Sequence, residues 1–423
     1  MQKPIQLQMP GRPAGPQAET PPPAGPGILF AAPHRPMFLA GAAQTVLAFL
    51  PWVWELLARN GLLAGPAWPW PPGWVHGLWA LYGVFPFFVF GFLMTAMPRW
   101  QGMPDTPGSA ARLPWLCLVG GWLVFDAGLL LTLPGLLAAG LALVLAGWML
   151  AARFLFGVAF RPGKAGLHPV AAWCALGAGA VGLAAWIAFA LGAGAAAARI
   201  GLAIGMWWLL TPLFMVVGHR MIPFFSASAL PRYEAYRPDW TLRLLLAVSA
   251  LHGALAMADL AALAWPADLV GAGCALWLSW KWQLRRSLAV PILAMLHLGF
   301  VWLGIAWLLF GLQGLLAAAG IPTLGLAPLH ALAVGYFATM TLAMVSRVTL
   351  GHSGRPLVAD GLTWRLALAL HGVALLRVLA DVLPVGHDPL LALAGIGWLA
   401  VFGPWAGRLL PIYLKPRADG RPG

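Results

Sequence analysis

Residues 326–356 read LAPLHALAVGYFATMTLAMVSRVTLGHSGRP. From Leu326 to Arg347 the run is apolar and 22 residues long, and a helix crosses the hydrocarbon core with about 20 such residues. His330 stands near one end of it, and His352 follows the other end in a basic, glycine-rich loop. Polar groups at this density are conspicuous in a chain that is 61% hydrophobic and only 9% charged. A soluble domain carries about 25% charged residues. With a mean hydropathy of +0.82, this chain belongs in a bilayer.

Working outward from that segment, eleven more of the same kind appear. The full set spans residues 37–57, 74–97, 114–133, 135–156, 168–191, 200–222, 241–262, 266–284, 288–311, 326–347, 363–384 and 388–411. They are long, rich in Leu and Ala, and free of the alternation that marks an outer-membrane barrel strand. The reading is an all-α integral membrane protein of about twelve transmembrane helices, organised as one membrane domain over residues 34–411.

Charge tests the count. With the N-terminus in the cytoplasm, every one of the 25 basic residues except Arg59, Arg199 and Arg377 falls on the cytoplasmic side. Basic residues accumulate there in membrane proteins, and losing or adding one helix scrambles the asymmetry. Both termini are therefore expected to be cytoplasmic. The net charge of +13 has the same origin, which removes nucleic acid as the partner it points to. The bilayer is the partner that the composition does demand.

Residues 1–33 are rich in Pro, Gly, Gln and Ala and lack the apolar core of a signal peptide, so they read as a disordered tail. Residues 412–423 read as a basic tail. Cys117, Cys174 and Cys274 stand singly within predicted helices and form neither a disulfide framework nor a CxxC metal site.

Ionisable groups at membrane depth are costly and mark function by default. Of the ten histidines, His34, His168 and His387 fall at helix ends or in turns and are expected to be solvated. His252 and His371 fit a hydrogen bond to a neighbouring helix. His76, His219, His297, His330 and His352 adjoin conspicuous sequence, and imidazole is the usual protein ligand for haem iron, copper and zinc. Depth divides these five into an outer pair, His76 and His330, and an inner or middle group, His219, His297 and His352. His330 and His352 are separated by 22 residues, about 30 Å of helix. One helix therefore contributes to two sites, with Arg347 and Arg355 at its inner end able to hold propionates or another anion.

Carboxylates are scarce at depth. Asp126 is one, and Arg377 with Asp381 at i and i+4 reads as a pair that neutralises itself. Met94, Met97, Met340 and Met344 suit copper(I) but suit packing better. The second, sixth and tenth segments each end in a basic patch, with Arg99, Arg220 and Arg347 spaced 121 and 127 residues apart. That spacing is consistent with a threefold repeat of four helices, or with the ordinary clustering of arginine at inward helix ends.

Three stretches resemble the NnrS family. They are Val75-His76-Gly77 continuing through Gly91-Phe92-Leu93-Met94 to Pro98-Arg99-Trp100, then His219-Arg220-Met221-Ile222-Pro223-Phe224-Phe225, and then the 326–356 motif itself. The resemblance implies a bacterial inner-membrane protein of about twelve helices that contains haem and copper and is associated with denitrification and nitrosative stress. It implies His76, His219, His297, His330 and His352 as ligands. No CxxCH is present, so haem is held without covalent attachment. The chain departs from the family's HxHE-type motif, with Leu78 and Trp79 where the second His and the Glu fall.

On this reading the protein binds haem and copper and acts in the response to nitric oxide, an apolar gas able to arrive through the bilayer. Sensing, scavenging and turnover of nitric oxide or a metal-nitrosyl species are all compatible with the residues. An oxidase role is disfavoured, since the adjacent His-His pair of oxygen-reducing haem-copper enzymes is missing. The competing classes are a transporter or export partner for haem, copper or a metal-nitrosyl species, favoured by helix count alone, and a sensor that recruits a cytoplasmic protein.

Overall fold

A backbone in hydrocarbon must satisfy its own N–H and C=O groups, and a helix does so within one segment. The computed structural model describes residues 27–420, and among these every regular element is helical. Eleven helices are long and apolar enough to cross a membrane. They are α1 (His34–Arg59), α2 (Pro72–Trp100), α3 (Gly108–Leu130), α4 (Pro134–Ala159), α5 (Leu167–Ala190), α6 (Ala195–Ala229), α7 (Asp239–Met257), α8 (Ala261–Lys281), α9 (Pro291–Ala318), α10 (Ala327–His352) and α12 (His387–Tyr413). Between the last two lies α11 (Gly361–Val382), 22 residues that include Arg365, Arg377 and Asp381.

A single side chain fixes the parity of the crossings. Arg35, at the start of α1, donates from Nε to the Tyr413 carbonyl at 3.3 Å and from Nη2 to the Ile412 carbonyl at 3.2 Å and to the Lys415 carbonyl. The beginning of α1 and the end of α12 therefore lie at one end of the bundle. An odd number of crossings would separate them, so α11 completes a set of twelve. This end, which also carries Arg220, Arg347 and Arg417, is called the basic end below.

The twelve helices form three successive groups of four. The fourth helix of each group packs on the first of the next, α4 on α5 and α8 on α9, and α12 closes the ring on α1. Inside the ring stand the second helices of the three groups, α2, α6 and α10. Each is interrupted by a π-helical stretch: Trp79–Val84, Ile204–Leu210 and Ala331–Ala338, starting 125 and 127 residues apart. Pro86 and Pro212 follow the first two and lack the N–H that a regular α-turn requires. In the third, the Thr339 hydroxyl donates to the Gly335 carbonyl instead. Phe85, Phe214 and Phe337, one from each central helix, meet with centroids 5.8, 5.9 and 4.8 Å apart. The threefold reading of the arginine spacing thus has a structural counterpart.

Without a hydrophobic driving force between helices in lipid, close backbone approach does much of the binding. It is closest between α3 and α4, where a Cβ on Gly121 would stand 2.6 Å from the Val144 nitrogen and one on Gly140 2.5 Å from the Phe125 nitrogen.

Several boundaries differ from the sequence reading. Residues 1–26 of the expected disordered tail, and 421–423 of the basic tail, lie outside the described residues. Ile28 is buried and Phe30 meets Trp115 edge-on at 5.6 Å, so the folded part begins before residue 34. At the other end Arg417 donates to the His352 carbonyl at 2.9 Å, which docks residues beyond 411 on the bundle. The sixth helix continues through Pro223 to Ala229, and the tenth extends to His352. His219 is therefore inside its helix, and His352 is a helical residue, because a helix longer than the span projects past the hydrocarbon.

Asp360 caps α11 by accepting from the Thr363 amide at 2.9 Å, and it pairs with Arg408 at 2.5 Å. These contacts, Arg408 foremost, hold its carboxyl down at about 2. Removing the cap in Asp360→Ala is expected to cost about 0.5–2 kcal/mol, read as a lower unfolding midpoint in detergent. The carboxylate stabilises only while ionised in the fold. The difference between variant and parent should therefore be full above the ordinary carboxylate value of about 4 and disappear as pH falls to about 2.

Candidate cofactor site

His76 and His330 lie just before the π-helical stretches of α2 and α10, near the end of the bundle opposite the basic one. They line one cavity of about 570 Å³, enclosed by α1, α2, α6, α10, α11 and α12. Pockets for small ligands and cofactors typically measure about 300–1,000 Å³ with mostly apolar walls. The α6 stretch in front of its own π-helix contributes Leu202 and Ala203 to the same wall. All three helical interruptions thus border the cavity, consistent with the habit of π-turns to occur at functional sites.

The two imidazoles are held differently. His330 Nδ1 lies 3.0 Å from the Leu326 carbonyl, which can only accept, so the proton is on Nδ1 and Nε2 keeps its lone pair. That is the arrangement in which a backbone carbonyl orients a ligating histidine. His76 is clamped by rings from α1: it stacks on Trp52 at 4.4 Å and 13°, and meets Phe49 edge-on at 5.3 Å. Its Nδ1 is buried with no hydrogen-bond partner among the described residues.

Charge gathers at the rim. Arg377 bonds Asp381 at 2.5 Å, and His387 Nδ1 stands 3.8 Å from the other oxygen of Asp381. Arg59 pairs with Glu55 at 2.9 Å and lies 5.3 Å from the centroid of Trp52. The Arg377–Asp381 pair does neutralise itself, but it does so on a cavity wall. Charge at membrane depth was the signal for it in the sequence. Trp52 and Phe49 carried no comparable signal, since an aromatic residue on an apolar helix looks like any other.

The inner histidines do not converge. His219 Nδ1 is 3.0 Å from His168 Nε2, and His219 Nε2 is 2.9 Å from Thr241 Oγ1. Thr241 gives its own proton to the Pro238 carbonyl at 2.8 Å, so it accepts from His219, whose Nδ1 then accepts from His168. Both nitrogens of His219 are thereby engaged. His297 Nε2 bonds Ser226 at 2.9 Å, and His352 faces His34 with ring centroids 4.6 Å apart. His34 and His168, expected to be solvated, are buried. Each sits in the first turn of a helix but is covered by the tenth or sixth helix, which continues past the point where its sequence turns polar. His252 and His371 do bond neighbouring helices, to Asp268 and from Trp302, each at 2.9 Å.

Arg347 and Arg355 lie at the basic end, away from His330 by about 25 Å or more along α10. Arg347 is buried with its guanidinium 4.1 Å from the centroid of Phe225, and Arg355 Nη1 is buried without a hydrogen-bond partner among the described residues. They share no site with His76 and His330. Among the described residues no group of three or more His, Cys, Asp or Glu side chains is placed to hold a metal ion.

The NnrS protein family model matches residues 28–417, from the turn before α1 to the docked segment after α12. The chain belongs to the NnrS family. Membership makes it a membrane protein associated with the response to nitric oxide. The matched region includes every helix that builds the cavity and every histidine considered above. The chain matches no curated protein.

Removing one member of a buried ion pair costs about 3–5 kcal/mol because the other is left buried and unpaired. Arg377 and Asp381 side chains are 12% and 7% exposed. Arg377→Ala should therefore lower the unfolding midpoint sharply, and the double variant Arg377→Met, Asp381→Leu should recover most of the loss. Equal midpoints for the parent and Arg377→Ala would show that the pair is not structural.

Proposed function

We propose that this membrane protein holds a non-covalent haem in the cavity between His76 and His330 and acts through it in the response to nitric oxide and nitrosative stress, in the bacterial inner membrane of denitrifying cells. The observation that carries the reading is the pair of imidazoles on one aromatic cavity. His330 is oriented by a backbone carbonyl to present Nε2, and His76 has a buried nitrogen with no partner. A buried polar atom without a partner is costly unless a ligand completes it.

The residues fit a haem. His330 would serve as an iron ligand and His76 as the second imidazole at the site, with the Trp52, Phe49 and Phe337 rings against the macrocycle. Arg377 and Arg59 at the rim suit propionates, in place of the inner arginines that the sequence brought forward for that role. Haem iron, when bound, supplies the centre to which nitric oxide coordinates. The protein's part is to hold the imidazoles in one tautomer and orientation and to keep the surroundings apolar, which governs water access and potential.

The copper that the family resemblance implies finds a poorer fit. The inner histidines stand in separate pairs, and His219 has neither nitrogen free, so they do not form one copper site. A carrier along the bundle axis is disfavoured by the contact of Phe85, Phe214 and Phe337, which fills the centre.

The test is the visible spectrum of protein purified after expression with haem supplied. A Soret band is expected in the parent, reduced about tenfold or more in His330→Ala, reduced or shifted in His76→Ala, and unchanged in His219→Ala. Equal haem content in the parent, His330→Ala and His76→Ala would overturn the assignment.

A further inference from the structure

A second cavity, about 510 Å³, lies on the outward face of α11 and α12, where it is lined by Leu366, Leu375, Leu379, Gly397 and Val401 and by no charged residue. Leu375 and Leu379 are exposed there, and on a membrane helix an exposed leucine faces lipid. The groove runs along α11 from Leu366 to Leu379, about 20 Å of helix, in the middle of Gly361–Val382. It therefore opens at the depth of the acyl chains.

One side chain belongs to both cavities: Val373 lines the groove and the imidazole cavity. The facing stretch of α12 is small, with Ala394 and Gly395 on the inner cavity and Gly397 on the groove. A Cβ on Gly397 would stand 2.8 Å from Val373 Cγ2, so the valine fills the space that this glycine leaves. The partition is one residue thick.

The two ways into the inner cavity differ in chemistry. The rim at the end of the bundle bears Arg59, Arg377, Asp381 and His387, and favours water and anions. The wall at Val373 is bounded on both sides by apolar atoms, and an uncharged diatomic gas is more concentrated in hydrocarbon than in water. Valine in a helix holds one strongly preferred χ1 rotamer, so it closes the wall at rest and opens it only by leaving that rotamer or by separation of the helices.

We propose that Val373 is the gate of a lateral portal through which a small uncharged gas such as nitric oxide passes from the bilayer, between α11 and α12, to the cavity of His76 and His330. The portal deepens the haem reading, but its geometry stands without the haem. Anything as large as a lipid chain is stopped at Val373, while a diatomic needs only the space of a methyl group.

The experiment compares Val373→Ala, Val373→Trp and Gly397→Val with the parent protein in lipid nanodiscs. In haem-loaded protein, carbon monoxide recombination after flash photolysis should be about tenfold faster in Val373→Ala and about tenfold slower in Val373→Trp, each equivalent to a barrier change of about 1.4 kcal/mol. Gly397→Val, whose Cβ falls 2.8 Å from Val373 Cγ2 and so forces the valine off its rotamer or parts the two helices, should speed it. Azide, an anion that must enter by the charged rim, should bind ferric haem at one rate in all four proteins. If the purified protein carries no haem, the haem reading fails, and the portal is tested by saturation-transfer exchange of xenon-129 with the cavity, with the same order of rates expected. Gas rates indifferent to all three substitutions, or azide rates that change in parallel with them, would overturn the proposal.

Discussion

Three phenylalanine rings, one each from α2, α6 and α10, meet at the centre of the bundle, and the remaining architecture is arranged around that contact. A helix in lipid gains nothing from hiding apolar surface, since the tails are as apolar as leucine, so it is placed by packing complementarity and by the need to satisfy its backbone. The central helices meet both demands at one level. Each carries its π-helical stretch within one turn of its phenylalanine, or around it, which widens the turn there. Around them the outer helices follow in threes of the same kind, closed by the packing of α12 on α1.

Such an arrangement makes three clefts between neighbouring four-helix groups, and they have been filled differently. Between the first and second groups stand Trp186 and Tyr82, the latter with its hydroxyl bonded to the Gly201 carbonyl at 2.7 Å. Between the second and third, Trp207, Trp307 and Phe310 surround the His252–Asp268 pair, with Trp207 4.0 Å from the His252 ring. Between the third and first, the large rings stand back against the walls and a cavity remains. The asymmetry of function thus comes from side-chain volume on a nearly symmetric frame. It also explains why the imidazoles that line open space are His76 and His330, while His252, in a comparable cleft, bonds a carboxylate through Nδ1 and packs against three aromatic rings.

Most of the secondary structure was legible because its cause is local. An apolar run of bilayer length has one stable conformation, and the distribution of arginine and lysine orders the runs in the membrane. Boundaries were less legible: the polar turn of the sequence sets His219 near a helix end and His352 in the loop beyond one, yet the sixth helix runs on to Ala229 and the tenth to His352, because intrahelical hydrogen bonds do not depend on an apolar surrounding. Adjoining sequence and depth set His76 and His330 together at one level, and both line one cavity. The inner trio was not a set, since depth places residues in one plane and says nothing about which helices are neighbours. Arg377 and Asp381 were visible as an i, i+4 pair, but their position on the cavity wall depends on how α11 is rotated.

By itself the sequence determined that this chain spans the membrane about twelve times, with its basic loops on one side and its family traits at His76, His219 and the 326–356 segment. These follow from transfer free energies and charge, which each segment carries independently of the others. Only the tertiary structure decided which imidazoles share a cavity, that His34 and His168 are covered, and that a single valine separates that cavity from the lipid. Those outcomes rest on helix rotation and on contacts between different helices, from Val373 against Gly397 to His34 against His352, which no single segment can encode.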